Sequence, residues 1–392
     1  MVRLIGRDID LYKVLLLFLK KPNASFHQFF QKIREMSLLD YRSSKKGYSL
    51  PPSIITYEIT HNCNLRCKTC WFYGNSGLYS KNTNPPESLD IGQIKKLIDN
   101  ISSFKPYFLI TGGEPLLYPH LKEVLYYADK KRLFFGLITN GILINEEKAQ
   151  WIIDSGLNFI TVSIDGPNKL NNEIRGNPNA FDKAINGIAL LKKHRKNKKF
   201  PIITINVTIS KYNFDKIKEM VKIAEDAGVD ILQFQHQWFS DNKTAKQYHL
   251  WAKNNLNLES NFIGGFENYS SLGIEVNKLK EQIEKIKSKK VFLRVFPELT
   301  NNELNKYYAS MDPVYTWRCV NPWFGTLIRP NGNVDPCIDY TFGNIKEESF
   351  KEIWNNEKAR FFRKKVKQIK YFPGCTRCCG FFRKCERKHC LQ

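Results

Sequence analysis

Three cysteines lie close together in the segment Cys63-Asn-Leu-Arg-Cys67-Lys-Thr-Cys70. Thiolates are soft ligands that select iron–sulfur clusters and zinc, and three on one loop leave one iron of a [4Fe–4S] cluster open to a small molecule. A zinc site completed by His61 is the alternative. The C-x3-C-x2-C spacing favours the iron–sulfur interpretation and therefore predicts a cluster with an open position.

A second segment, Thr111-Gly112-Gly113-Glu114-Pro115, combines two glycines with a carboxylate. Two glycines allow a backbone to approach a ligand closely, and the carboxylate beside them could bind an ammonium group. A simple turn between a strand and a helix is the alternative. The ligand interpretation gains support because this segment and the cysteine triad each follow a predicted strand.

Seven of the ten cysteines lie in residues 315–392: Cys319, Cys337, Cys375, Cys378, Cys379, Cys385 and Cys390. No apolar run approaches the ~20 residues of a membrane span, and no signal peptide is evident. We therefore expect a cytoplasmic location, where such cysteines serve as metal ligands or catalysts rather than disulfides. Metal clusters would supply folding energy to a unit with little regular structure.

Strand and helix patterns alternate from residue 53 onward. The predicted strands cover residues 54–60, 107–111, 134–139, 159–164, 202–209 and 231–235, with helices between them. Six such units predict an α/β fold, either a partial barrel or an open parallel sheet, with functional residues at the carboxyl ends of the strands. His236, at the end of the sixth strand, is interpreted either as facing the substrate or as a structural histidine.

Four regions follow from these patterns. Residues 1–50 form an amphipathic helical extension and a linker, and residues 51–240 form the barrel. Residues 241–314 complete the barrel or bridge the domains, with a helix near 275–288 and a strand at 291–295. Residues 315–392 form the cysteine-rich unit.

The sequence resembles the radical S-adenosylmethionine (SAM) enzymes. Over residues 53–236, the resemblance rests on the order of the cysteine triad, the Gly-Gly-Glu-Pro segment, Thr139-Asn140-Gly141 and Ser163-Ile164-Asp165-Gly166. The tail resembles a SPASM-type auxiliary iron–sulfur domain, since it contains C-x12-G-x4-C and then C-x2-C. The implied fold is a partial (β/α)6 barrel with an N-terminal helical extension and a small C-terminal cluster domain.

The resemblance also implies roles for particular residues. Cys63, Cys67 and Cys70 would hold a [4Fe–4S] cluster whose open iron binds SAM. The contacts to SAM itself would come from the following residues: Gly112, Gly113 and Glu114 at the amino group, Asn140 and Ser163 near the ribose or cluster, and Arg175 at the carboxylate. Thr69 stands where the family usually has an aromatic residue, which leaves the packing of the adenine open.

The resemblance implies one or two auxiliary clusters. Cys319, Cys337, Cys375 and Cys378 would bind one auxiliary [4Fe–4S] cluster. Two closed clusters need about eight thiolates, and the tail has seven cysteines. A second cluster would therefore use Cys379, Cys385 and Cys390 with an open position or a ligand such as His389, and free thiols are the alternative.

The implied activity is reductive cleavage of SAM to a 5′-deoxyadenosyl radical that abstracts hydrogen from a large substrate. A flavodoxin- or ferredoxin-type protein would donate the electron. A peptide or protein substrate, as in maturases, is expected first. A lipid or lipid-linked substrate at the membrane surface is the alternative, with residues 8–38 as a peripheral anchor or packed on the barrel. A non-catalytic iron–sulfur or RNA-binding scaffold is a remote third interpretation, because a scaffold would not need the open iron that the cysteine triad predicts.

The net charge of +23 is concentrated at the two ends of the chain. Residues 1–50 hold ten Lys and Arg against four Asp and Glu, and residues 351–392 hold thirteen against three, so 16 of the 23 charges lie there. Basic ends favour an acidic partner or an anionic surface, and a solvated lysine-rich surface is the alternative. Nucleic acid is not the expected partner, because the predicted barrel carries little of the excess positive charge.

Overall fold

The computed structural model describes residues 41, 44–74, 77–79, 85–259, 273–314, 318–337 and 339–378. The predicted helices of residues 8–38, together with Cys379, Cys385, His389 and Cys390, lie outside the described residues. Among the residues that are described, no helix is both long enough and apolar enough to cross a membrane.

One ten-stranded sheet organises the fold, in the order β10-β9-β8-β1-β2-β3-β4-β5-β6-β7. Strands β8 and β1 to β7 run parallel, and β9 and β10 add an antiparallel edge. The strands are β1 (Ile54–Thr60), β2 (Tyr107–Gly112), β3 (Phe134–Thr139), β4 (Phe159–Ser163), β5 (Ile202–Ile209), β6 (Ile231–His236), β7 (Phe292–Phe296), β8 (Gly325–Ile328), β9 (Asn333–Asp335) and β10 (Gly343–Asn344).

Helices connect the parallel strands and cover one face of the sheet. They are α1 (Ile91–Ser102), α2 (Leu121–Lys130), α3 (Glu146–Asp154), α4 (Asn168–Arg175), α5 (Ala180–Arg195), α6 (Ile217–Ala227), α7 (Asn242–Leu256), α8 (Val276–Lys285), α9 (Asn301–Ala309), α10 (Asn321–Phe324), α11 (Phe350–Trp354) and α12 (Glu357–Ile369). Local signals set their ends: α1 begins at a capping box between Asp90 and Gln93, and α4 ends at the left-handed Gly176. The predicted α/β class and partial barrel are confirmed.

The two faces of the sheet differ in chemistry because side chains alternate along each strand. In β1, Ile55, Tyr57 and Ile59 are fully buried in the core beneath the helices, while Thr56 and Glu58 point to the concave face. At the amino ends of β2 to β4, the rings of Tyr107, Phe134 and Phe159 pack together, with centroids 5.5 Å apart between neighbouring strands. Aromatic rings therefore fill the space at the amino ends of these strands, and polar side chains have room only at the carboxyl ends.

The cysteine-rich unit continues the barrel sheet, because β8 pairs in parallel with β1 and places Tyr57 beside Ile328. Its own core is aromatic and consists of buried side chains at Trp323, Phe324, Phe342, Phe350, Trp354 and Phe362. Arg363 on α12 is completely buried and donates hydrogen bonds to the carbonyl oxygens of Gly47, Pro322 and Trp354 at 2.9–3.2 Å. This guanidinium attaches residues 44–50 to the unit.

Replacing this arginine tests how residues 44–50 are attached. Arg363→Met fills a similar volume but leaves buried carbonyl oxygens without donors, so we expect a loss of roughly 3 kcal/mol in the free energy of unfolding. Proteolysis near residues 44–50 should also become faster. Lys364→Met, at the exposed neighbouring position, is the matched control. Equal proteolysis rates for the two variants would contradict this attachment.

Candidate active site

The loop after β1 presents the cysteine triad at the carboxyl edge of the sheet. The loop is held by hydrogen bonds from the backbone N–H of Cys70 to Cys67 O (3.0 Å) and from Arg66 Nη1 to Cys63 O (2.9 Å). Burial, with a smaller contribution from Cys70, raises the pKa of Cys63 to about 11 and that of Cys67 to about 12. The three thiols thus lie near enough to raise one another's pKa, with Arg66 and Arg175 as the neighbouring positive charges, and such an arrangement suits thiolates held around an iron–sulfur core.

Arg175, the last residue of α4, lies directly against this loop. Its Nη2 makes an ion pair with Asp165 Oδ2 at 2.8 Å, its Nη1 is 3.9 Å from Cys67 Sγ, and its buried Nε has no hydrogen-bond partner. Burial opposes the charge of Arg175, but Asp165 and then Cys67 raise its pKa. A fixed guanidinium with a spare donor beside the triad can bind an anionic group of a ligand.

Glu114 is completely buried, and its carboxylate bonds to the protein itself. Oε1 accepts from Leu116 N at 3.0 Å and from the Thr139 hydroxyl at 2.7 Å, while Oε2 accepts from Asn140 N at 2.7 Å. A carboxylate has about four acceptor positions, so one remains for an ammonium group. Two of the three hydrogen bonds that Glu114 accepts come from Thr139 and Asn140, so its carboxylate joins the ends of β2 and β3.

The two glycines before Glu114 are required by the closeness of β1. Gly112 has φ +143°, and a Cβ there would collide with Thr60 O. A Cβ on Gly113 would collide with the carbonyl oxygens of His61 and Asn62. Since Gly113 N donates to Thr60 O at 2.7 Å, the pair brings the Glu114 turn against the loop that carries the triad.

The remaining predicted contacts lie along the same sheet edge. Asn140 Nδ2 donates to Asn64 Oδ1 at 2.8 Å, so Asn140 touches the triad loop directly. Ser163, the last residue of β4, is half-buried and pairs in register with Asn206 of β5. The structure thus places Asn140 against the triad loop and Ser163 at the end of a neighbouring strand.

His61 is engaged in a way that disfavours the zinc alternative. Its Nε2 is 2.7 Å from Glu58 Oε2, and its Nδ1 is 2.7 Å from the Tyr79 hydroxyl. Both ring nitrogens are therefore used in hydrogen bonds, so neither is available to bind a metal.

Glu58 also begins a buried ionic network that sequence reasoning missed. Arg329 Nη1 is 3.1 Å from Glu58 Oε2, and Arg329 Nε is 2.8 Å from Asp335 Oδ2, with each side chain no more than 6% exposed. The guanidinium also lies 5.6 Å from the ring centroid of Trp71, next to Cys70. We call Glu58, Arg329 and Asp335 the bridge. The sequence signalled this network only through Glu58, the one charged residue in β1.

The second set of cysteines begins at the other end of the bridge with Cys337, two residues after Asp335. Burial raises the pKa of Cys337, and Cys375 and Cys319 raise it further, so these three thiols are close to one another. Cys378 follows in the same turn, with its N–H bonded to Cys375 O at 3.0 Å. Four cysteines are the number of ligands that a closed [4Fe–4S] cluster needs, so the predicted assignment of Cys319, Cys337, Cys375 and Cys378 stays a prediction.

His236 lies on the helix-facing side of β6, where its Nδ1 is 2.6 Å from the Tyr308 hydroxyl on α9. Complete burial lowers the pKa of His236 to about 3, so the ring is neutral. Its position among aromatic side chains favours the structural interpretation over contact with substrate.

Comparisons with known proteins fit this geometry. The Radical SAM superfamily model matches residues 57–224, and the SPASM iron–sulfur cluster-binding domain model matches residues 319–379. The chain thus contains a radical SAM domain followed by a SPASM domain. It is an enzyme that uses a [4Fe–4S] cluster and SAM, and its SPASM domain carries auxiliary iron–sulfur chemistry.

Three similar proteins differ in what their names describe. "AdoMet-dependent heme synthase" of Methanosarcina barkeri is 28% identical over 80% of this chain and 84% of its own. "Antilisterial bacteriocin subtilosin biosynthesis protein AlbA" of Bacillus subtilis is 24% identical over 78% of this chain and 60% of its own. The structure of Streptococcus suis SuiB bound to precursor peptide SuiA is 15% identical with a TM-score of 0.57, covers 85% of this chain and 70% of that chain, and shows a shared fold.

Breaking the bridge should be costly and non-additive. Arg329→Gln leaves two buried carboxylates without their cation, so we expect a loss of about 3–5 kcal/mol in the free energy of unfolding. Adding Glu58→Gln removes one of those charges, and the double variant should therefore lose less than the sum of the single variants. Chemical denaturation measures all three, with Lys346→Gln as the exposed control. Strictly additive losses would show that the residues are not coupled.

Proposed function

We propose that this enzyme cleaves SAM reductively at the triad loop and removes a hydrogen atom from a large substrate held on the concave face of the sheet. In this proposal Cys63, Cys67 and Cys70 hold the cluster. The observation that supports it is the position of three neighbouring thiols beside Arg175, at the carboxyl edge of a parallel sheet. Functional residues gather at this edge in α/β barrels.

When bound, the cluster and SAM supply one-electron cleavage of the C5′–S bond, which releases methionine and lets the 5′-deoxyadenosyl group take a hydrogen atom from the substrate. The protein binds, orients and keeps water out. Arg175, held in place by Asp165, would bind the SAM carboxylate through its unpartnered Nε. Glu114 would use its remaining acceptor position for the amino group, with Gly112 and Gly113 bringing it close.

Asn140 and Ser163 would complete the SAM site near the ribose. In the SPASM domain, Cys319, Cys337, Cys375 and Cys378 would hold one auxiliary cluster, and Cys379, Cys385 and Cys390 are the candidates for a second. A one-electron donor of the flavodoxin or ferredoxin type would supply the electron that cleavage consumes.

A peptide or protein is the first proposed substrate. The SuiB structure, which has the same fold, is bound to a precursor peptide. AlbA, a relative that spans most of this chain, is named for bacteriocin biosynthesis. Both similarities support a peptide substrate for this chain.

A tetrapyrrole is the second candidate. The observation that favours it is the M. barkeri relative, which aligns along four-fifths of this chain and carries the name of a heme synthase. SAM turnover can be compared with candidate peptides and with porphyrin carboxylic acids present. The true substrate should give up a hydrogen atom to the 5′-deoxyadenosyl group, which becomes 5′-deoxyadenosine, and the other candidate should not.

The triad proposal predicts a specific loss of iron and of product. Cys67→Ala should lower the iron content by about four atoms per chain and abolish dithionite-driven formation of 5′-deoxyadenosine from SAM. Cys378→Ala removes a ligand of the auxiliary set and should retain 5′-deoxyadenosine formation. If Cys67→Ala keeps its iron and forms 5′-deoxyadenosine like the parent enzyme, the proposed function fails.

The role of Arg175 predicts a change in SAM affinity. Arg175→Gln removes a charged hydrogen bond, so the dissociation constant of SAM should rise about tenfold or more, and Arg175→Lys should restore part of the affinity. Calorimetry on the anaerobic holoenzyme measures this. Lys169→Gln, an exposed position on the same helix, is the control. A SAM affinity that Arg175→Gln leaves unchanged would contradict this contact.

A further inference from the structure

Segments from the two basic ends of the chain meet on one surface of the SPASM domain. Residues 44–50 lie against α12, although 316 positions separate Gly47 from Arg363, whose Nη1 donates to Gly47 O at 3.2 Å. The contact is close, because a Cβ on Gly47 would collide with Arg360 O. Part of the positive charge from both ends of the sequence is therefore gathered in one place.

The exposed charges of this surface are lysines. Helix α12 carries six Lys and Arg against one Glu, and residues 44–50 carry two lysines and no acid. Arg363 is buried, and Arg360 is half-buried with its Nη1 donating to the Tyr48 hydroxyl at 3.1 Å. Lys364 is exposed, one helical turn beyond Arg360. Every exposed basic residue of these two segments is a lysine, so the outward charge consists of ammonium groups.

Apolar side chains are exposed among these lysines. Residues 47–50 alternate between buried and exposed, so Tyr48 and Leu50, at 50% and 52% exposure, share the outward side. Phe361 on α12 is 40% exposed, with its ring centroid 5.7 Å from Lys365 Nζ. In the part of the chain that the structure describes, six large hydrophobic side chains are exposed, and three of them lie here. A concentration of exposed apolar side chains marks a surface that binds a partner or a membrane.

The exposed residues of this surface form what we call the basic face: Lys45, Lys46, Tyr48, Leu50, Phe361 and Lys364. We propose that the basic face docks the enzyme on an anionic lipid bilayer. The ammonium groups would meet the phosphates of the headgroups, and the three apolar side chains would enter the boundary between headgroups and acyl chains. This proposal does not depend on the identity of the substrate.

An acidic polypeptide is the other partner that a basic surface could bind, but the side chains present favour lipid. Specific recognition of carboxylates favours arginine, whose planar guanidinium forms two parallel hydrogen bonds with one carboxylate. Here Arg360 and Arg363 bond to the protein itself. Lysine places its ammonium group at the headgroups while its apolar stem lies along lipid. Leu50 and Phe361 offer a carboxylate no polar atom, whereas both gain by leaving water for an apolar layer.

The basic face and the triad loop lie at opposite ends of β1. Residues 45–50 precede this strand and the triad loop follows it, so the seven residues of β1 separate them by roughly 20 Å. Docking through residues 45–50 therefore leaves the triad loop uncovered. SAM and substrate could reach the active site while the enzyme is bound to a membrane.

Vesicle sedimentation with the full-length anaerobic holoenzyme tests this docking. We expect binding to vesicles of phosphatidylcholine and phosphatidylglycerol in equal parts, and binding at least tenfold weaker to phosphatidylcholine alone. Lys45→Gln combined with Lys364→Gln should weaken binding to the anionic vesicles about tenfold or more, because each lysine near such a surface adds roughly a factor of five in affinity. Lys289→Gln combined with Lys290→Gln removes the same charge at exposed positions before β7 and should change binding less than about twofold.

Substitution of the apolar residues separates lipid from other polyanions. Leu50→Asn combined with Phe361→Asn should also weaken binding to the anionic vesicles about tenfold, since less apolar surface can enter the bilayer. Leu250→Asn, at a position on α7 that is 64% exposed, is the control and should bind like the parent enzyme. Without vesicles, all these variants should form 5′-deoxyadenosine like the parent, because none of the residues lies at the proposed SAM site.

Three results would overturn the inference. The first is a parent enzyme that does not prefer anionic vesicles. The second is normal vesicle binding by either the lysine variant or the apolar variant of the basic face. The third is tighter binding of polyglutamate than of anionic vesicles at equal charge, which would make the partner an acidic polypeptide. Dithionite-driven 5′-deoxyadenosine formation by the same samples reports separately on the proposed function.

Discussion

The ionic contact between Glu58 and Arg329 joins the two halves of the enzyme. Glu58 lies in the first strand of the barrel and Arg329 directly follows β8, 271 positions later in the sequence. Burial of an isolated guanidinium costs several kcal/mol, and two carboxylates with direct hydrogen bonds offset that cost. The contact therefore forms only when β8 is paired with β1 in the observed register.

Burial and the Arg329 guanidinium act in opposite directions on the pKa values of both bridge carboxylates. Burial acts against ionisation of Glu58, yet Arg329 and His61 together lower its pKa below the ordinary value. Burial raises the pKa of Asp335 to about 6, because Arg329 compensates only in part and Glu58 adds repulsion. Arg329 therefore offsets the burial of two carboxylates, one beside His61 and the triad loop and the other two residues before Cys337.

Local patterns in the sequence were enough to predict the barrel strands, because buried parallel strands are apolar and helices between them are amphipathic. The triad, the glycine pair and Arg175 were found by spacing and resemblance. The partners of charged groups could not be found in this way. Nothing near Glu58 in sequence identifies Arg329, and nothing near Glu114 shows that its carboxylate bonds to Thr139 and Asn140. Such contacts depend on sheet order and register.

The polar groups of the sheet differ along its width in how they are bonded. Strands β1 to β3 bring the triad loop, Glu114 and Asn140 together through hydrogen bonds between neighbouring loops. Strands β5 and β6 carry the amides of Asn206 and Gln233, which bond to each other within the sheet. Groups that the protein's own hydrogen bonds already hold in place suit a cofactor that is the same in every turnover. Because β4 lies between these two groups of strands, Ser163 at its carboxyl end stands at the boundary between them.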